Sequence, residues 1–239
     1  MKRAGDRADP ETAGETARRA PAGPASAGLD RPVRKGTGAR SAASTAKSIA
    51  ESELRAAPDV AVVRLVPARP MHAEAWFRWR QEPISRRFNP ILPATVESLA
   101  ERLSRSSHDL TNQRANEHRW IVDLRGVPIG TVALVSTSWT MGYSEIGYML
   151  SESHQGRGLG TVAVTQFVAK IFRESSLDRL FATISVENAA SIRLVTRLGF
   201  TREGLLREHF LIEGRRVDEL VYGILRREWS PPEPPSRAL

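Results

Sequence analysis

The segment Tyr148–Val162, Y-M-L-S-E-S-H-Q-G-R-G-L-G-T-V, holds the residues whose types and spacing point most directly to chemistry. Glycines at 156, 158 and 160 let backbone amides come close to a ligand, and a helix opening behind them presents unpaired N–H groups. Such a terminus attracts anions, pyrophosphate above all. Arg157 adds a charge suited to phosphate. A dinucleotide fingerprint needs G-x-G-x-x-G, whereas this chain has G-x-G-x-G, and the Gly-Lys-Ser/Thr of a P-loop is missing. Two readings of the loop stay open on these residues alone: a phosphate cradle of another kind, or a turn without a ligand.

Further along, Asn188 opens V-E-N-A-A-S-I-R-L-V-T-R-L-G-F on a strand-to-helix junction. With Q-x-x-G-x-G at Gln155–Gly160 and N-x-x-S…L-G-F at Asn188, Ser191 and Leu198-Gly199-Phe200, the chain resembles the GNAT superfamily of acetyl-CoA-dependent N-acetyltransferases. The closing segment G-R-R-V-D-E-L-V-Y-G-I-L-R-R-E-W looks like the branch that holds ribosomal-protein N-terminal, spermidine and some aminoglycoside-type acetyltransferases. The resemblance covers about residues 60–230.

The resemblance implies a set of roles. The pyrophosphate of acetyl-CoA would lie on Gln155, Gly156, Arg157, Gly158, Leu159 and Gly160, with Thr161 in the first helical turn. Met149, Leu150 and Ser151 would pair with pantetheine like an added strand, and an N–H near Leu150 would polarise the thioester carbonyl. Asn188 would bond the pantetheine arm, or else simply cap its helix. Ser191 would sit near the sulfur. Many members carry a Tyr seven residues after this Asn as an acid for the thiolate, and this chain has Val195 there. Proton help then falls to Ser191 or water.

Without cysteine no acyl-thiol intermediate can form on the protein, so the expected reaction is direct attack of a substrate amine in a ternary complex. The amine must first lose a proton, which calls for a carboxylate or a water chain. Glu145, on the strand leading into the glycine loop and on the face of Gly147 and Met149, is the first candidate base. Glu208 and His209 come second. Tyr148 is read as a substrate contact or a core residue, and Glu213, Asp218 and Glu219 as acids that attract a cationic amine or balance Arg215 and Arg216.

The elements that must hold these residues are legible as alternation and periodicity. Strands are expected over Val60–Val66, His118–Leu124, Pro128–Ser136, Glu145–Ser151, Arg179–Val186, Thr201–Phe210 and Val217–Arg226, with hairpin turns at Arg125-Gly126 and Glu213-Gly214. Helices are expected over Met71–Gln81, stopped before Pro83, and over Thr95–Ser106, Gly158–Ser175 and Ala189–Leu198. The longest is read as facing the core with Val162, Thr165, Phe167, Val168 and Ile171. Trp76, Phe77 and Trp79 are read as packing residues. The order β-α-α-β-β-β-α-β-α-β-β predicts an α/β fold, a mixed and mostly antiparallel sheet with helices on both faces, as the GNAT resemblance also implies.

Composition sets the outer limits. The 239 residues carry a formal charge of +8, split evenly at residue 58, and contain four lysines, so Arg supplies nearly all the positive charge. Residues 1–58, rich in Ala, Arg, Gly, Pro, Ser and Thr and free of aromatics, are expected to be a disordered tail, with a transient helix over 41–57. Residues 59–230 form the expected domain and 231–239 a proline-rich tail. The dilute tail charge allows weak nucleic-acid contact and no base reading. No stretch is long and apolar enough to span a bilayer, no secretory signal is visible, and the histidines lack metal-ligand spacing. The expectation is a cytoplasmic, metal-free enzyme whose acceptor is a protein N-terminal α-amine. A polyamine or aminoglycoside is the rival acceptor, and a non-catalytic acyl-CoA-binding module the rival class.

Overall fold

The computed structural model describes residues 62–231 apart from 116. The expected tail over 1–58, the helix within it and residues 232–239 lie outside the described residues. Seven strands, β1 Val63–Pro67, β2 His118–Leu124, β3 Val127–Ser138, β4 Tyr143–Leu150, β5 Arg179–Ser185, β6 Thr201–Ile212 and β7 Arg215–Leu225, form one sheet in the order β1-β2-β3-β4-β5-β7-β6. Every neighbouring pair is antiparallel except β4 and β5. Among the described residues five α-helices accompany them: α1 Ala73–Gln81, α2 Pro83–Phe88, α3 Val96–Arg105, α4 Leu159–Glu174 and α5 Ala189–Arg197.

The central strands of the sheet are buried on both faces, and their side-chain alternation shows how. On β2, Trp120, Val122 and Leu124 join a core completed by Phe167, Val168 and Ile171 of α4 and by Val195 of α5. Ile121, between them, points the other way into a second core with Trp76 and Trp79 of α1 and Leu99 and Leu103 of α3. Helix α4 turns Leu159, Ala163, Val164, Phe167, Val168, Ile171 and Phe172 inward. Val162 and Thr165, expected to face the core, are half-buried because the inward stripe runs through Ala163 and Val164. Thr95 caps α3 as its sequence suggested, accepting from the Ser98 amide at 3.2 Å while the Ser98 hydroxyl accepts from the Thr95 amide at 2.9 Å.

The second core also encloses charge. Arg119 and Glu117 are buried, and Arg119 Nε donates to Glu117 Oε1 at 2.5 Å and its Nη1 to Thr131 Oγ1 at 2.9 Å. The same guanidinium lies 4.2 Å from the Trp76 ring centre. The pair is compensated on every side, as buried charge must be.

One helix is new relative to the sequence reading. Helix α1 ends at Gln81, before Pro83 as expected, and Pro83 also opens α2. Its fixed φ and missing N–H suit the start of a helix as well as they suit the end of one. The extra helix matters because it lies against the functional cleft.

Candidate active site

Parallel pairing of β4 with β5 lasts for three rungs, Tyr143↔Arg179, Ser144↔Leu180 and Glu145↔Phe181, and then stops. Strand β4 runs on to Leu150 paired only with β3, while β5 runs on to Ser185 paired only with β7. The two halves of the sheet therefore splay apart beyond Glu145. A cleft of about 490 Å³ occupies the gap, lined by Tyr148, Met149 and Leu150 on one wall and by Asn188 and Ser191 on the other. The glycine loop closes its end, and Ile84, Ser85 and Phe88 of α2 flank it.

The glycine loop is built by backbone conformation. Gly156 and Gly158 have φ of 72° and 76°, the left-handed region that a side chain disfavours, and a Cβ at either would meet nothing within 4 Å. Their smallness thus serves the chain's path and the open space above it. Gly158 is also the N-cap of α4, so the amides of the first turn, Leu159 to Thr161, face the cleft end with no intrahelical acceptor. Gly160 has a different reason: a Cβ there would press on Leu194 Cδ1 at 3.4 Å, where α4 meets α5.

The structure sorts the candidate residues. Met149, Leu150, Gln155, Gly156, Gly158, Gly160, Thr161, Asn188 and Ser191 come together around the cleft. Gln155 is bound to the protein itself, its Nε2 donating to the Leu150 carbonyl at 3.0 Å, which ties the loop to the end of β4. Asn188 Oδ1 accepts from the Ser191 amide at 3.1 Å, so the capping role is real, and its Nδ2 has no partner among the described residues. Leu159 is fully buried and contributes no side chain to the cleft. Arg157 lies in the loop without lining the cavity. Ser151 departs from expectation: its amide donates to Ile129 O at 2.9 Å, toward β3, and its hydroxyl meets His154 Nδ1 at 2.6 Å. It faces away from the gap.

Glu208 departs further. It lies on the edge strand β6 with φ of 51°, exposed, its amide donating to Asp218 Oδ1 at 2.8 Å, and with His209 it stays outside the cleft. A bulge between Leu206 and Phe210 carries both out of register. Glu145, the first candidate base, is likewise not among the cleft-lining residues; it stands at the last paired rung, where the gap begins, and its Oε1 accepts from Thr183 Oγ1 at 2.5 Å. Val195, where the resemblance would place a tyrosine, is wholly buried in the core. The cleft hydroxyls near that position belong to Ser191 and Tyr148. The Tyr148 hydroxyl is buried and makes no hydrogen bond to a described residue, and burial pushes its pKa up to about 12, with the nearby Ser191 side chain pulling the other way.

Sequence reasoning missed the α2 residues, whose helix was unseen, and two cations at the cleft, Arg193 and Arg197 of α5. Their spacing of four residues was the available signal, since it stacks them on one helix face. Glu219, read only as one of three hairpin acids, is 1% exposed on β7 and has a buried Oε2 without a described partner. Its carboxyl is pushed up to about 7, by burial first and by the Glu145 charge second, against a downward pull from Thr183. A glutamate inside the apolar run V-D-E-L-V-Y-G-I-L of an interior strand was the signal there.

The residues present fit a phosphate-bearing cofactor that extends along a strand. Amides converge at the loop, Arg193 and Arg197 flank it, and the β5-facing edge of β4 is unpaired beyond Glu145. Among the described residues no group of His, Cys, Asp or Glu could hold a metal ion, and no helix is long and apolar enough to cross a membrane.

Comparison with known proteins agrees with this geometry. The family profile "Acetyltransferase (GNAT) domain" matches residues 63–201. The chain is 32% identical over 153 residues to the uncharacterized N-acetyltransferase p20 of Bacillus licheniformis, covering 64% of this chain and 85% of that protein. It is 26% identical over 152 residues to the spermidine N(1)-acetyltransferase of Vibrio cholerae, covering 63% and 80%. Among solved structures, a ribosomal L7/L12 alpha-N-protein acetyltransferase in complex with coenzyme A superposes with a TM-score of 0.62 at 19% identity, covering 69% of this chain and 94% of that one.

Proposed function

Given that the chain belongs to the GNAT acetyltransferase family and is an acetyl-CoA-dependent N-acetyltransferase, we propose that its acceptor is a primary amine, a protein N-terminal α-amine before others, attacked directly in a ternary complex. The observation that carries this reading is the splay of β4 from β5, which opens a cleft with the glycine loop at its end. Acetyl-CoA supplies the activated acetyl group. The chain's own residues do the rest. Amides of Gly156 to Thr161, with Arg193 and Arg197, hold the phosphates. The unpaired edge of β4 at Met149 and Leu150 and the Asn188 amide hold the pantetheine arm. Ser191 and Tyr148 present hydroxyls to the departing sulfur, whose thiol pKa of about 8.5 makes it a tolerable leaving group near neutrality.

Electrostatics supports a monocationic acceptor over a polycationic one. A polyamine or aminoglycoside needs several carboxylates, yet among the residues that line the cleft the one acid, Glu187, is engaged by Arg87 and Arg215. An α-amine brings one positive charge and a peptide behind it. With acetyl-CoA and acceptors of these kinds as its substrates, the enzyme is read as a cytoplasmic one.

Calorimetric titration of the full chain with acetyl-CoA tests the site, followed by thiol release with N-terminal peptides, spermidine and an aminoglycoside. Binding lost in Gly158→Glu and turnover favouring peptides are expected. Preferential turnover of spermidine would overturn the acceptor class, and binding without turnover of any amine would return the non-catalytic module.

A further inference from the structure

Building on the N-acetyltransferase reading, we infer that Glu219, set against Glu145 at the vertex of the splay, takes the proton from the acceptor ammonium. Glu145 is the last residue of β4 to pair with β5. Thr183, two residues past the last rung on β5, donates its hydroxyl to Glu145 Oε1 at 2.5 Å across the opening gap. On the far side of β5, Glu219 is the cross-strand partner of Ser185, where β5 ends. Leu220, Tyr222 and Ile224 of β7 point into the α4 core, so alternation turns Glu219 to the opposite face, that of Glu145 and Thr183. Three strands thus bring two carboxylates together at the point where the sheet opens, three residues before Asn188 of the cleft wall.

The pair lacks what a structural ion pair has. Glu219 is buried and its Oε2 has no partner among the described residues. Arg119 with Glu117 shows how this fold treats a buried carboxylate that is only structural: guanidiniums from two elements meet it. Around Glu219 the charged group that acts on it is Glu145 of β4, a like charge. Strand β5 offers Thr183 and Ser185 and β6 its cross-strand Leu206, none of them cationic. The guanidiniums of α2, Arg86 and Arg87, are taken by Glu213 and Glu187, and Arg215 of β7 by Glu187. Burial and the like charge of Glu145 both raise the proton affinity of the Glu219 carboxylate, which suits it to take a proton. A primary ammonium supplies the missing positive charge and the missing donors.

The step balances as follows. The acceptor ammonium gives one proton to Glu219, and the freed lone pair forms the N–C bond to the acetyl carbonyl carbon. The C–S bond breaks with its electron pair on sulfur, and the second proton lost by nitrogen passes to that sulfur, with the Ser191 hydroxyl placed to relay it. Glu219 returns its proton to solvent.

Two experiments on the full chain decide the point. Carbon-detected NMR titration of the glutamate carboxyls needs no acceptor: one should titrate near pH 7, vanish in Glu219→Gln and fall toward the ordinary carboxylate range in Glu145→Gln. Kinetics with an N-terminal-alanine peptide and with spermidine should show kcat reduced about 100-fold or more in Glu219→Gln, within the range general-base loss produces. Calorimetric affinity for acetyl-CoA should stay at the parent value, and the acidic limb of the parent kcat/KM profile should vanish. A Glu219 carboxyl that titrates with ordinary glutamates, or parental turnover in Glu219→Gln, overturns the proposal. Should the parent turn over neither amine, the titration decides the pair alone. Failure of the parent to bind acetyl-CoA would instead strike at the acetyltransferase reading.

Discussion

Burying Glu219 beside Glu145 has a cost that can be measured without any substrate. Its carboxyl rises from an ordinary 4.5 in the unfolded chain to about 7 in the fold. Because the folded value is the higher, the folded state holds the proton more tightly. Stability is therefore undiminished below about pH 4.5, declines as pH climbs through the window between the two values, and stays reduced above about pH 7. At 1.36 kcal/mol per pH unit the full loss is about 3 kcal/mol. Glu219→Gln removes the titration and keeps the shape. Denaturant unfolding of parent and variant at pH 5.0 and pH 8.5 isolates the effect, since every other titrating group cancels in the double difference. Part of the loss is already present at pH 5.0, so the variant should gain about 2.5 kcal/mol on the parent between the two pH values. For a domain of this size that corresponds to roughly 5–10 °C in midpoint. A parent–variant difference that is the same at both pH values would refute the placement of a desolvated carboxyl at 219.

Other outcomes follow from the cleft. Gly158→Ala should keep measurable acetyl-CoA binding at a stability cost of about 1–2 kcal/mol, from left-handed φ alone, whereas Gly158→Glu should abolish binding by calorimetry. Tyr148→Phe deletes a buried hydroxyl that lacks a protein partner, so the ligand-free domain should melt higher, by about 1 kcal/mol, while kcat falls. Ser191→Ala should lower kcat with little change in acetyl-CoA affinity, since Asn188 caps the helix through the backbone amide at 191 and not through the hydroxyl. Gly130→Ala should destabilise the domain, because its Cβ would collide with the Met149 carbonyl, and chemical denaturation would read the loss.

Much of this architecture is written in local pattern. The alternation of His118–Leu124, the Thr95 cap and the paired turns Arg125-Gly126 and Glu213-Gly214 place their elements within a few residues. The glycine loop was legible for the same reason, since left-handed φ at 156 and 158 is a local demand. What stayed hidden depends on partners distant in sequence. Pro83 marks the end of α1, and only the packing of α2 against β6 and the cleft shows that it begins another helix too. Ser151 looked like the next residue of a cofactor-pairing strand, but its amide is taken by Ile129 from the neighbouring strand. Glu219 read as a hairpin acid because its burial comes from strands and a helix that the sequence does not show to be adjacent.

The short parallel pairing of β4 with β5 has one more consequence. Beyond Glu145 the edge of β4 that faces β5 is unpaired main chain, and main chain is common to all twenty amino acids. Side chains along that edge can drift as long as the strand keeps its direction and its neighbour keeps its distance. A binding edge of that kind leaves almost no imprint on residue identity. What persists is the shape, and a fold shared at 19% identity with a solved structure over 94% of that chain is consistent with that.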